Sequence, residues 1–263
     1  MNIISGKEVA GHISKRVKDR VDELIKQGKR VPKLVIVRVG DRPDDLSYQR
    51  GAIKRMDMVG IAHEELWFEE NVSIETFFEK FDEINKDDGV DGILVLRPLP
   101  KHLDEDRLIR TINQAKDVDA ISPISLGKIM IGDKNGFAPC TAAGVIEILK
   151  YAGVEIGGKK VTIVGRSNVV GRPLALLFIG LDATVTVCHS RTKDVKEACK
   201  NAEILVASCG KARFINKEYV ANGAVVIDVG INLDEEGKLC GDVDTDSIEG
   251  IAAACTPVPG GVG

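Results

Sequence analysis

Short runs of branched apolar residues recur along this chain, each followed by a segment of helical period, and few folds accept that alternation. Ser5-Gly6-Lys7-Glu8 is a capping box ahead of Val9, Ile13, Val17, Val21, Leu24 and Ile25, an apolar stripe that stops at Gly28. KLVIVRVG (33–40) reads as a strand, GDRPDD as a turn, and the residues from about Leu46 to Val59 as a helix. EELWFEE follows as a strand, SIETFFEKFDEINKD as a helix opened by Ser73, and GVDGILVLRPLP as a buried strand stopped by Pro98 and Pro100. A second series runs CTAAGVIEILKYAG (helix), KKVTIVG (strand), NVVGRPLALLFIGL (helix), ATVTVCHS (strand), KDVKEACKNA (helix), EILVASCG (strand) and GAVVIDVG (strand). The prediction is an α/β protein of two domains. Residues 1–120 form a three-layer unit on a parallel sheet, and residues 121–263 a doubly wound Rossmann-type unit, with a linking helix at about 141–151.

The length of 263 residues, with 44% hydrophobic and 29% charged, suits two medium domains. Net charge is −4 and the pI is near 5.7, with Lys and Arg spread along the chain. That balance argues against nucleic acid or an anionic membrane as partner. The six cysteines form no C-x-x-C pair and lie mostly in apolar runs, so they read as reduced core thiols of a cytosolic protein. His12, His63, His102 and His189 are isolated and offer no metal-ligand spacing. The start, MNIISGKEVA, lacks a basic segment followed by an apolar one, and no apolar run approaches spanning length.

The stretch KKVTIVGRSNVVGRPLALL carries the clearest chemistry. A strand runs into Gly165, turns through Arg166 and Ser167, and enters a helix with Gly171 and Pro173 near its first turn. A helix N-terminus behind a glycine turn presents N–H groups and a positive dipole end, which suits a pyrophosphate. The spacing G-R-S-x-x-x-G is not G-x-G-x-x-G, and glycines serving only a tight β-to-α turn remain an alternative. The next strand ends in CHSRTKD, where an NAD site would carry an Asp or Glu for the ribose 2′-hydroxyl. Ser190, Arg191 and Thr192, with Arg166 from the first loop, instead suit a 2′-phosphate. NADP is the expected cofactor, with a solvated surface arginine the alternative for Arg191.

GRSNVVGRPLALL, CHSRT, VVIDVGIN, GDV and TPVPGGVG, with SY…K, GILV…PLP, KDVD and PCT in the first half, resemble the methylenetetrahydrofolate dehydrogenase/methenyltetrahydrofolate cyclohydrolase family over essentially the whole chain. The resemblance implies a homodimer of two-domain subunits with a cleft between the domains, and tetrahydrofolate derivatives as substrates. In members with both activities, NADP takes a hydride from 5,10-methylenetetrahydrofolate, and water opens the methenyl product to 10-formyltetrahydrofolate. By the same resemblance Gly165, Arg166, Ser167, Ser190 and Ile231 contact the dinucleotide. Tyr48 stacks on the folate, Asp119 holds the pterin, and the loop with Pro257, Pro259, Gly260 and Gly261 lines the folate side. Taken singly, Tyr48 could be a packing tyrosine, Asp119 a turn cap, and the proline-glycine segment a plain loop. The chain also ends early for the family, at Gly263, so further residues are expected in the native protein.

The departures fall on one side of the chemistry. Members with both activities carry a Lys four residues after the Tyr and a Gln in VQLPLP; here those positions are Ala52 and Leu96. Lys54 is a candidate substitute. A helix turns about 100° per residue, so four steps return to within about 40° of the start and six land about 120° away. Lys54 then points elsewhere unless a π-bulge near Gly51 changes the phase. Arg97, the other nearby cation, stays protonated and is a poor base, and a strand-end salt bridge accounts for it. The expectation is an NADP-dependent dehydrogenase with weak or absent cyclohydrolase activity. The alternatives are a bifunctional enzyme using Lys54, a dehydrogenase for another small substrate such as an amino or keto acid, and a folate- or NADP-binding protein without turnover.

Overall fold

The computed structural model describes residues 1–133 and 135–263. In chain order the elements are β1 (Asn2–Ile3), α1 (Gly6–Lys26), β2 (Lys33–Val39), α2 (Pro43–Val59), β3 (Ala62–Phe68), α3 (Ile74–Lys86), β4 (Gly92–Val95), α4 (Glu105–Thr111), α5 (Pro123–Met130) and α6 (Cys140–Tyr151). They continue with β5 (Lys160–Val164), α7 (Gly171–Ile179), β6 (Thr184–Cys188), α8 (Val195–Lys200), β7 (Ile204–Ala207), β8 (Val225–Asp228), β9 (Asn232–Leu233), β10 (Leu239–Cys240) and β11 (Ala254–Cys255). The chain divides into two compact units, Gly11–Ala138 and a second made of Met1–Ala10 with Pro139–Gly263.

In the Gly11–Ala138 unit a parallel three-stranded sheet runs β3-β2-β4. Alternation along β2 sorts its side chains. Val35, Val37 and Val39 pack with Phe77, Phe78 and Phe81 of α3, while Leu34 and Ile36 face the other way, with Leu94, Leu96 and the α2 residues Ala52 and Ile53. The sheet is thus sandwiched between helices, as the alternating sequence predicts. Phe77 and Phe81 are wholly buried and stack with ring centroids 6.2 Å apart, each burial contributing about 2–3 kcal/mol. Helix α2 begins at Pro43 with Asp44 and Asp45 in its first turn and ends at Gly60, whose φ of 78° suits a left-handed cap. It is α-helical throughout, without a π-bulge at Gly51.

The other unit is built on a parallel six-stranded sheet, β1-β11-β8-β7-β5-β6. β5 and β7 are buried almost throughout, the mark of strands covered on both faces. Sequence neighbours β5, β6 and β7 become the spatial order β7-β5-β6, so the strand order reverses beside β5, where doubly wound sheets bind ligands.

The units divide elsewhere than at the expected 120/121 boundary. Residues 121–138 stay with the first unit because the buried carboxylate of Asp117 accepts from Ile121 N and Ser122 N, both at 2.9 Å, and from Ser125 Oγ at 2.7 Å, tying the start of α5 to the preceding turn. The first residues belong to the other unit because Asn2 and Ile3 pair with Ala254 and Cys255. Among the described residues no helix is long and apolar enough to cross a membrane.

Candidate functional site

The turn after β5 is shaped by two close approaches. Gly165 has φ 135°, and a Cβ there would lie 2.2 Å from Ser208 O; a Cβ on Gly171 would lie 2.2 Å from Gly165 O. Only glycine fits either position, so the backbone forms a tight cradle with helix α7 starting against it. The helix end is less open than its sequence suggests. Ser167 Oγ accepts from Val170 N at 3.0 Å, Ser167 O accepts from Arg172 N at 3.0 Å, and Pro173 has no N–H. What faces outward is the loop itself, with the exposed side chains of Arg166 and Ser167.

A cavity of about 420 Å³ opens there, lined by Arg166, Ser167, Ser190, Thr192, Ser208 and Lys211 among others. Of the residues expected to bind the dinucleotide, Gly165, Arg166, Ser167, Ser190 and Thr192 are brought together on its wall. Residues 189–192 form a turn in which Thr192 N donates to His189 O at 2.9 Å and Thr192 Oγ1 accepts from His189 N at 2.9 Å. Arg191 is exposed within that turn, its N–H donating to His189 Nδ1 at 3.1 Å, and does not line the cavity. Ile231 is 68% exposed and lies outside the lining as well. The sequence reading missed Ser208, Cys209, Lys211 and Phe214. The strand order was the signal for them, because β7 borders β5 at the reversal and its loop must face the glycine turn.

Two buried carboxylates hold that loop. Asp242 accepts from Cys209 N (2.6 Å), Gly210 N (3.0 Å), Lys211 N (2.8 Å) and Asn232 Nδ2 (2.9 Å). Asp228, at the end of β8, accepts from Gly230 N (2.9 Å), Asp242 N (3.0 Å) and Val243 N (2.9 Å), while its own N–H donates to Thr256 Oγ1 at 2.8 Å. Burial pushes the Asp228 carboxyl up to about 6, against the pull of its three N–H donors. Burial, reinforced by Asp242, likewise raises the Cys209 thiol to about 12, so it stays protonated and is no nucleophile.

In the Gly11–Ala138 unit, Tyr48 on α2 is 57% exposed, and Asp119 is half-buried in the turn before α5. Its neighbour Asp117 is wholly buried and committed to the cap described above. Lys54 is exposed on the regular helix α2, whereas Ala52 packs with Leu34, Ile36, Leu94 and Leu96. The two positions that depart from the bifunctional pattern therefore share one apolar cluster. Arg97 pairs with Glu105 at 3.2 Å. Ala120, in the turn before α5, holds a φ of 50°, where a side chain is strained. In the other unit, the segment with Pro257, Pro259, Gly260 and Gly261 forms a turn anchored by Gly6 N donating to Gly260 O at 2.8 Å.

Residues 4–119 match the catalytic domain, and residues 139–263 the NAD(P)-binding domain, of tetrahydrofolate dehydrogenase/cyclohydrolase. The bifunctional FolD protein of Clostridioides difficile is 50% identical over 99% of this chain and 91% of its own length. The structure of the bifunctional FolD enzyme, methylenetetrahydrofolate dehydrogenase/cyclohydrolase, of Campylobacter jejuni superposes with a TM-score of 0.94 at 36% identity, covering 100% of this chain and 93% of that one. The FolD of Trypanosoma brucei, solved with NADP and an inhibitor, gives 0.90 at 35% identity over 99% and 91% of the two chains. Similarity of this extent in both halves leaves one assignment: the chain belongs to the tetrahydrofolate dehydrogenase/cyclohydrolase family.

Proposed function

We propose that this protein oxidises 5,10-methylenetetrahydrofolate to 5,10-methenyltetrahydrofolate with NADP, and that it hydrolyses the methenyl product weakly or not at all. The observation that carries the second half is the cluster of Ala52 with Leu96, Ile36 and Leu94. Opening the methenyl ring needs an activated water and proton transfers, work for an amine with a lowered pKa and a polar neighbour. Alkyl groups at both positions offer neither, and Lys54 lies on another face of an unbroken helix.

Oxidation asks less of the side chains. The methylene carbon releases a hydride as the lone pair of the adjacent folate nitrogen moves in to form the methenyl C=N, so alignment is the main requirement. NADP, when bound, supplies the hydride acceptor. Gly165 and Gly171 let the backbone come close to the dinucleotide, while Arg166 and Ser167 hold its phosphates and Ser190 and Thr192 face its ribose. Arg191 adds positive charge at the rim and Ile231 an apolar contact. In this reading Tyr48 stacks on the folate and Asp119 holds the pterin, and the Pro257, Pro259, Gly260 and Gly261 segment lines the folate side. The reading also takes the chain to work as a homodimer in the cytoplasm.

The test uses purified protein in two assays. Reduced nicotinamide should form from methylenetetrahydrofolate faster with NADP than with NAD. Methenyltetrahydrofolate, supplied at a pH where spontaneous hydrolysis is slow, should disappear little or no faster than in buffer; rapid enzyme-dependent loss would refute the single-activity reading.

A further inference from the structure

Lys211 follows β7 at the point where the strand order reverses. Its position is fixed by backbone, not by its own side chain. Ser208 N donates to Val164 O at 2.9 Å, and the N–H groups of Cys209, Gly210 and Lys211 all end on the buried Asp242 carboxylate. The ammonium is left to lie over the Phe214 ring, 5.2 Å from its centroid, on the wall of the cavity that Arg166, Ser190 and Thr192 also line.

The charge balance of this cavity is unusual for the molecule. Elsewhere in the same unit, lysines such as Lys159 and Lys196 sit against carboxylates, Glu203 and Glu218. Among the described residues no carboxylate pairs with Lys211 or Arg166, and no acidic side chain lines the cavity. Two cations on facing loops of one cavity repel until an anion comes between them. Hydroxyls at Ser190 and Thr192 complete a donor set suited to a phosphate monoester, which carries a charge near −2 at neutral pH.

We propose that Lys211 binds the 2′-phosphate of NADP from the loop opposite Arg166, so that the choice of NADP over NAD is divided between two loops of the sheet. The proposal rests on the NADP reading above. Arg166 supplies a planar, directional donor pair and Lys211 a compact point charge, so the two cations have different roles.

Adenosine 2′,5′-bisphosphate and adenosine 5′-monophosphate test this by calorimetric titration, without turnover. They differ only in the group at issue. Wild-type protein should prefer the bisphosphate. Lys211→Met should weaken the bisphosphate by about tenfold or more, the loss of a charge-assisted hydrogen bond, with the monophosphate changed less than about twofold. Lys211→Arg should restore most of the preference. Because the substituted side chain is exposed and the loop is held through backbone N–H groups, these variants keep the fold. Equal weakening of both nucleotides by Lys211→Met, or no change in their ratio, would overturn the proposal while leaving the NADP reading standing. A wild-type protein with no preference for the bisphosphate would remove both.

Discussion

Replacing Leu96 with Gln and Ala52 with Lys, singly and together, asks whether the apolar cluster stands where a hydrolytic pair would work. Leu96 is 7% exposed and packs against Ile36 and Leu94, so Leu96→Gln buries an amide with no partner among alkyl groups. An unsatisfied buried amide costs about 1–3 kcal/mol, to which loss of apolar burial adds about 1 kcal/mol. The single variant should lose about 2–4 kcal/mol, or roughly 4–16 °C in melting temperature for a domain of this size. Ala52 is only half-buried, so a lysine there can lift its ammonium toward water, and Ala52→Lys should cost less than about 1 kcal/mol. In the double variant the Gln carbonyl and the ammonium become each other's partner. The double variant should therefore be more stable than the sum of the singles by about 0.5–3 kcal/mol, the range for coupled residues. Melting curves of all four proteins give the cycle, and methenyltetrahydrofolate loss gives its chemical counterpart, expected to rise only in the double variant. Strict additivity with no gain of hydrolysis would refute the argument that these two positions face one another as a catalytic pair.

Three further outcomes follow from particular geometries. Ala120 holds a φ of 50°, so Ala120→Gly should be neutral or stabilising by up to about 1 kcal/mol in thermal melts, and a clear loss would mean that its methyl group is needed for packing. Gly165→Ala places a Cβ 2.2 Å from Ser208 O at a φ of 135°; it should cost at least about 2–4 kcal/mol and abolish nucleotide binding, and near-normal titration of adenosine 2′,5′-bisphosphate would contradict the cradle. Asp228 is pushed up to about 6 in the folded protein, against about 3.9 unfolded, so the folded state binds the extra proton between those values. Its contribution to stability is present in full below about pH 4 and falls by about 3 kcal/mol as pH rises to 6, then stays flat. Melting temperatures of wild type and Asp228→Asn across pH 4–7 should show that falling component only in the wild type.

Much of the architecture could be read from the sequence because it rests on local periodicity. β2 and β5 are written in branched residues, and α3 in a stripe of phenylalanines opened by Ser73, whose Oγ accepts from Thr76 N at 3.1 Å. Helix α2 starts at Pro43, three residues earlier than its apolar pattern predicts, because proline and two aspartates favour a first turn that carries no apolar stripe. The two-residue strands β1, β9, β10 and β11 had no period to display, and β1 decides where the units divide. The glycine turn and the Ser190–Thr192 turn were visible as motifs. Lys211 was not, since a lysine shortly after a strand resembles any solvated end until the sheet order places it. Asp228 and Asp242 were hidden for another reason: apart from Asn232 Nδ2, their donors are backbone N–H groups 2 to 33 residues away, which no side-chain pattern encodes.

The pairing of Asn2 and Ile3 with Ala254 and Cys255 has a consequence for the order in which the molecule is made. Chains fold domain by domain as they leave the ribosome, and contacts between distant residues close last. Residues 11–138 contain every strand of their own sheet and can fold once they emerge. The first ten residues have no sheet partner until β11 has been synthesised, more than two hundred residues later. Residues 1–10 must therefore stay open while the unit behind them folds, and the six-stranded sheet becomes complete only once β11 has been synthesised.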